Sequence, residues 1–207
     1  MFYNILDVKR QELLPLLNPL KETYYLARGA GLALQIGHRK SEDFNFFTTR
    51  PFSTIDLFNK IEEYLAKYKL VKIQDEENTL TIVVNDEVKI SFFYYPYPLI
   101  KQLLEEENLK IASIVDIGCM KLSTITHRAA FKDYVDLFFI LKKISLKELL
   151  EQNRKKHPLL DTNLVLKSLI YFDDISIDPI GFMPRLAVSL DQVKIFLTHE
   201  VKKYFET

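Results

Sequence analysis

Asp43 and Asn45 stand two residues apart in the segment Asp43-Phe44-Asn45-Phe46-Phe47. In an extended strand that spacing puts both on one face and sends Phe44 and Phe46 to the other. A carboxylate beside an amide oxygen is a hard donor set, of the kind that holds Mg²⁺ against phosphates. Upstream, three of the five glycines fall within Gly29–Gly37. Glycines after a strand and before a helix let the backbone come close to a ligand. The helix start then offers N–H groups and a positive dipole end to an anion such as phosphate. Between these features lies the basic run His38-Arg39-Lys40, in which Arg39 is a candidate phosphate contact. A solvated strand face and an ordinary tight turn would use the same residues, so spacing alone leaves both readings open.

The elements needed to position these groups are legible in outline. Residues 5–17 have a loose helical spacing, with Pro15 as a stop or kink. Residues 23–27 read as a strand, 30–36 as a helix stopped by Gly37, and 43–47 as a strand with one buried face. An amphipathic helix is predicted over 53–68 with Ser53 or Thr54 at its N-cap. Strands follow at 69–74, 79–84 and 88–95, with Asn85-Asp86 as a hairpin turn. On the last of these, Val88, Ile90 and Phe92 share one face, and Lys89, Ser91 and Phe93 the other. A charged helix or loop over 101–109 leads to a short strand at Lys110–Ala112. From Ser113 the pattern is helical, over 113–127, 131–143, 146–154, 161–171 and 189–205, and Ser113 with Asp116 resembles a capping box. The expected layout is an α/β (α+β) core of mixed sheet flanked by helices over 1–112, with a helical part over 113–207 that packs on it and completes the site.

Composition narrows the classes of function. Lys+Arg and Asp+Glu each number 28, so the formal net charge is zero and bulk attraction to nucleic acid is not expected. The single cysteine, Cys119, cannot form an internal disulfide and sits in an apolar run. No stretch approaches the ~20 apolar residues of a membrane span, and the N-terminus mixes charge with apolar residues, so no membrane partner and a cytoplasmic location are expected.

The stretch from Tyr25 to Phe47 (YLARGAGLALQIGHRKSEDFNFF) resembles the opening motif of the AbiEii/AbiGii toxin nucleotidyltransferases. That motif has a glycine turn, a short Ala/Leu helix, and Gly-His-Arg-x-Ser-x-Asp followed by a hydrophobic residue, Asp and two Phe. A second block agrees with the family in order and distance: Asp116 to Lys121, then Arg128, then Lys132-Asp133-Tyr134-Val135-Asp136. The resemblance implies a DNA-polymerase-beta-like nucleotidyltransferase core. It implies transfer of a nucleoside monophosphate from an NTP, with Mg²⁺ or Mn²⁺, to an RNA such as tRNA or to a protein hydroxyl. It also implies a toxin with a cognate antitoxin. Carried over residue by residue, Gly29 and Ala30 lie in the phosphate turn, Asp43 is a metal ligand with Asn45 beside it, and Lys121 reaches a phosphate oxygen. Arg128 and Lys132 join Arg39 as nucleotide-binding cations. For Lys121 and Arg128 a salt-bridged helix face is the alternative, and for Asp133 and Asp136 an ion-pair network that includes Lys132 with Asp136.

Two positions depart from the family pattern. Asn45 stands where the family has Asp, and Ser91 falls where a third carboxylate would come from a later strand. Two divalent ions held about 3.5–4 Å apart require protein carboxylates, and Asp43 with a neutral amide suits only one ion that arrives with the nucleotide. A degenerate nucleotide- or partner-binding module of the same fold is therefore the alternative to an enzyme. A purely structural partner protein is a third reading.

Overall fold

A computed structural model describes Met1–Glu206. The chain divides into two compact units. The first comprises Met1–Pro98 and Gln102–Ser113; the second comprises Leu99–Lys101 and Ile114 onward.

In the first unit, α1 (Val8–Leu17) is capped by Asp7, whose side chain accepts from the Arg10 N–H, and it carries Pro15 in its last turn. Next come β1 (Tyr25–Leu26), α2 (Arg28–Ile36), β2 (Phe44–Thr48), α3 (Thr54–Tyr64), β3 (Leu70–Glu76), β4 (Thr79–Val84), β5 (Val88–Tyr94), β6 (Leu104–Glu105) and β7 (Lys110–Ile111). Among the described residues the seven strands form one mixed sheet in the order β3-β4-β5-β2-β1-β7-β6. The β2–β5 and β1–β7 pairs are parallel and the others antiparallel. Period-two alternation fixes the register: Phe44 faces Ile90 and Phe46 faces Phe92 on a buried side, where the Phe46 and Phe92 rings stack at 5.3 Å.

Local chemistry explains the boundaries. Ser53 Oγ accepts from the Asp56 N–H, so α3 starts where the cap signal places it. It ends at Tyr64 rather than 68, because Leu65 leaves helical geometry and Tyr68 closes a turn onto Leu65. Asn85 and Asp86 make the β4–β5 turn with φ of 50° and 60°, a region these two side chains tolerate. Of the two alternatives for 101–109 the loop holds, and within it Leu104 and Glu105 form the short strand β6, paired with Ile111 and Lys110. The edge strand β3 has a register shift between Lys72 and Gln74, a bulge against β4.

The second unit is helical: α4 (Ile114–Ile125), α5 (Phe131–Leu141), α6 (Leu146–Lys156), α7 (Thr162–Ile170) and α8 (Leu190–Glu206). Each buries one apolar stripe, such as Val165, Leu166 and Leu169 on α7 and Val193, Leu197 and Val201 on α8. Ser189 and Gln192 form a reciprocal cap for α8, with the Ser189 N–H donating to Gln192 Oε1 and the Gln192 N–H to Ser189 Oγ. Between α7 and α8 the chain is non-helical but pinned. The Ser176 N–H donates to the Ala129 carbonyl at 2.8 Å and the Phe131 N–H to the Ser176 carbonyl at 3.0 Å. Among the described residues no helix is long and apolar enough to cross a membrane.

Candidate functional site

The first unit brings Arg39 and the Asn45 backbone to the start of α2, where Gly29 and Ala30 lie. That helix begins at Arg28, two residues earlier than its sequence suggests, so Gly29 lies inside the first turn. The N-cap residue is Ala27, and no side chain caps the turn. The chain after α2 returns past this end. A Cβ on Gly29 would stand 2.7 Å from Arg39 Nη2 and 3.3 Å from Ser41 Oγ, so a larger residue there would push the guanidinium aside. Arg39 is buried and held by its own Nη1 donating to the Lys40 carbonyl at 3.0 Å. Gly37 stops the helix with φ of 65° and donates its N–H to Ala33. Helix dipole, backbone amides and a fixed guanidinium thus converge on one spot, which suits a phosphate. Asp43 immediately precedes β2 and is exposed.

Asn45 pairs in register with Ser91, Ser91 with Thr81, and Thr81 with Gln74. A polar row thus runs across four strands. Ser91 is 2% exposed, and its Oγ lies 3.1 Å from Thr81 Oγ1, which is itself 3.3 Å from Gln74 Oε1. The row carries no charge. Among the described residues no three His, Cys, Asp or Glu side chains are grouped to hold a metal ion. The donors present fit one divalent ion that brings phosphate oxygens as ligands, with Asp43 and Asn45 as the protein's share; they do not fit two.

Two residues of this region carried no sequence signal. Thr81 looks like any strand threonine until β4 is paired. Arg28 adopts φ of 55°, a left-handed conformation that costs a non-glycine residue about 1–3 kcal/mol. Its guanidinium carbon lies 5.3 Å from the Phe47 ring centroid and 5.2 Å from that of Phe93. Cation–π contacts of this kind contribute about 0.5–2 kcal/mol and offset much of the strain.

The second unit brings Lys121, Arg128 and Lys132 to one region with Asp133 and Asp136. Lys121 is only 4% exposed, and its Nζ lies 2.6 Å from Asp133 Oδ1 and 2.5 Å from Asp136 Oδ2. Arg128 Nη2 is 3.0 Å from Asp133 Oδ2, while its side chain stays 52% exposed. The expected helical face shared by Lys121 and Arg128 is corrected, since α4 ends at Ile125 and Arg128 follows in the next turn. The two cations meet through Asp133 instead. The expected Lys132–Asp136 pair is likewise replaced by Lys121–Asp136. Asp116 accepts from the Ile100 and Lys101 N–H groups and pairs with the buried Lys156 at 2.9 Å. It ties the segment Leu99–Lys101 to the second unit. A cavity of about 360 Å³ in the first unit, lined by Lys9, Glu12, Tyr68, Asn85 and Glu87 among others, contains none of the expected site residues.

The mixed sheet flanked by helices is a nucleotidyltransferase fold. Solved structures agree on it. MenT4, a nucleotidyltransferase toxin from Mycobacterium tuberculosis H37Rv, superimposes with a TM-score of 0.65 at 13% identity, covering 96% of this chain and 82% of that one. JHP933 from Helicobacter pylori gives a TM-score of 0.51 at 17% identity, covering 97% and 95%. The chain belongs to the family of nucleotidyl transferase AbiEii toxins of type IV toxin–antitoxin systems, whose sequence profile matches residues 17–203. An uncharacterized protein of Aquifex aeolicus (strain VF5) is 34% identical over 189 residues, 88% of each chain.

Proposed function

We propose that this protein transfers a nucleoside monophosphate from an NTP to a hydroxyl of RNA, such as tRNA, or of a protein, and acts in the cytoplasm as the toxin of a pair with a cognate antitoxin. The observation that supports this best is the close packing of Arg39 on Gly29 at the uncapped start of α2, a place built for the phosphates of the nucleotide. The Gly29 and Ala30 amides and Arg39 hold and orient the triphosphate. Asp43, with Asn45, would hold one Mg²⁺ or Mn²⁺, which when bound neutralises phosphate charge and polarises the phosphoryl oxygens. The acceptor oxygen forms a bond to the α-phosphorus. The bond from that phosphorus to the bridging oxygen of the β-phosphate breaks, pyrophosphate leaves with the electron pair, and the hydroxyl proton passes to solvent. Catalysis here is positioning and charge stabilisation.

For the second unit the proposal is narrower. Lys121 orders the Asp133–Asp136 cluster, and Arg128 and Lys132 are the cations open to a nucleotide phosphate or an acceptor backbone.

The test is incubation with each of the four α-labelled NTPs, Mg²⁺ or Mn²⁺, and either total RNA or lysate protein. One nucleotide is expected to label one acceptor class. A chain that binds triphosphate yet labels nothing under any of these conditions supports the second reading, a binding module without turnover, which Asn45 and the hydrogen-bonded Ser91 favour.

A further inference from the structure

We infer that Arg10, on α1, is a positioning residue: it fixes the backbone on which Asp43 stands and so sets how tightly that carboxylate holds a divalent ion. This rests on the reading of the first unit as a nucleotidyl-transfer site with Asp43 as a metal ligand, and it adds the residue that orders the ligand.

Asp43 stands at the end of the loop that returns from α2 to β2, one residue before Phe44 opens the strand, and its side chain is exposed. A carboxylate on an unbraced loop loses conformational freedom when an ion fixes it, and that loss weakens binding. The N-terminal segment braces this loop at both ends. At its start the Phe2 ring lies against Gly37, where an added Cβ would stand 2.7 Å from Phe2 Cδ1, and the Phe2 N–H donates to the Leu34 carbonyl at 2.8 Å. At its end Arg10 Nε donates to the Glu42 carbonyl at 2.7 Å. That carbonyl belongs to the peptide unit joining Glu42 to Asp43. The unit is planar and includes the Asp43 Cα, so the bond orients the point from which the Asp43 side chain departs.

Arg10 is itself held. Its Nη1 pairs with the Asp7 carboxylate, and its backbone N–H donates to Asp7 Oδ1 at 2.9 Å. The residue that caps α1 thus also anchors the guanidinium. Gln11 Nε2 donates to the Leu6 carbonyl at 2.9 Å and ties the turn ahead of α1 to the helix. A long cationic side chain at a surface usually carries its head into water. Arg10 instead lies on the loop with its side chain only 11% exposed. Its fork serves Asp7 and Glu42 with different nitrogens, a geometry that a lysine ammonium does not reproduce. Among the described residues no three His, Cys, Asp or Glu side chains share the work of holding an ion, so the placement of Asp43 weighs more. Groups that orient a metal ligand without touching the metal change affinity or activity about 10–100-fold when removed.

The test compares the wild-type chain with Arg10→Met and Arg10→Lys, each alone and on an Asp43→Ala background. Calorimetry gives the affinity for a non-hydrolysable triphosphate with Mn²⁺ and again in EDTA, and the ratio of the two isolates the share that belongs to the ion. Melting without ligand reports stability separately. Arg10→Met should keep the affinity measured in EDTA and lose about tenfold of the affinity measured with Mn²⁺. Arg10→Lys should lose about threefold, and it carries the test if the Met variant folds poorly. On the Asp43→Ala background neither change should alter the ratio further. Label transfer by Arg10→Met should slow by a similar factor and recover at higher Mn²⁺. An equal loss with and without Mn²⁺, no loss at all, or a further change of the ratio on the Asp43→Ala background overturns the role of Arg10 while leaving nucleotidyl transfer standing. A wild-type chain that binds no triphosphate, or whose affinity does not depend on Mn²⁺, overturns the underlying reading, and this inference with it.

Discussion

Ser91 Oγ and Thr81 Oγ1 lie 3.1 Å apart inside the sheet, in register with Asn45 on the neighbouring strand. The pair satisfies both hydroxyls without any ion. Ser91→Asp would put a carboxylate into a position that is now buried and neutral. The expected result is a loss of at least about 2 kcal/mol in urea unfolding without nucleotide. Burial raises the pKa of such a carboxyl, so the loss shrinks as pH falls. Mn²⁺ with triphosphate should restore part of the stability in the variant and add less to wild type. Equal responses of the two proteins would contradict the assignment.

Lys121 sits between two carboxylates with almost no exposure. Lys121→Met keeps the length of the side chain but removes the ammonium from the cluster. Breaking a buried ion pair on one side costs about 3–5 kcal/mol. Chemical denaturation should show that loss, while Arg128→Ala, at the exposed end of the same network, should cost about 1 kcal/mol or less.

His157 is 4% exposed, and its Nδ1 lies 2.8 Å from Asn153 Oδ1. Burial, with the adjacent Lys156 charge, lowers its pKa to about 4 from the usual 6.5. The folded state therefore binds fewer protons than the unfolded state between those values. The stability that His157 contributes is fully present above about pH 6.5 and declines as pH falls towards 4, by up to about 3 kcal/mol. A pH series of unfolding midpoints should show a steeper decline over this range in wild type than in His157→Gln. Parallel curves would remove His157 as the cause.

Gly29→Ala adds a methyl group 2.7 Å from Arg39 Nη2. A helix tolerates alanine well, so the fold should survive with a melting temperature near that of wild type. The guanidinium must move, and triphosphate affinity should fall about tenfold, roughly 1.4 kcal/mol. Unchanged affinity in calorimetry would mean that phosphates bind elsewhere.

Most of the fold was legible because two periodicities run along the chain with little interruption. The alternation in Val88–Tyr94 and the cap at Ser53 named their elements directly. Leu104–Glu105 was missed because a two-residue strand has no period and forms only when β7 lies beside it. For the candidate site, spacing singled out Asp43 and Asn45, the glycine cluster singled out Gly29, and the family motif added Lys121 as expectations. The partners were not. Nothing local to Lys121 says that Asp133 and Asp136 enclose it, because that contact depends on how α4 and α5 pack. Arg28 was invisible for a similar reason. Its significance lies in a backbone angle and in two rings contributed by different strands.

The bulge at Lys72–Gln74 governs what the outer margin of the sheet can do. A second extended chain laid along β3 would meet donors and acceptors that fall out of phase after the first few residues. It would also face the charges of Lys72 and Asp75. Val71 and Ile73 can therefore stay exposed on that strand without seeding chain-on-chain zippering, and concentrated solutions of the protein should remain free of fibrils.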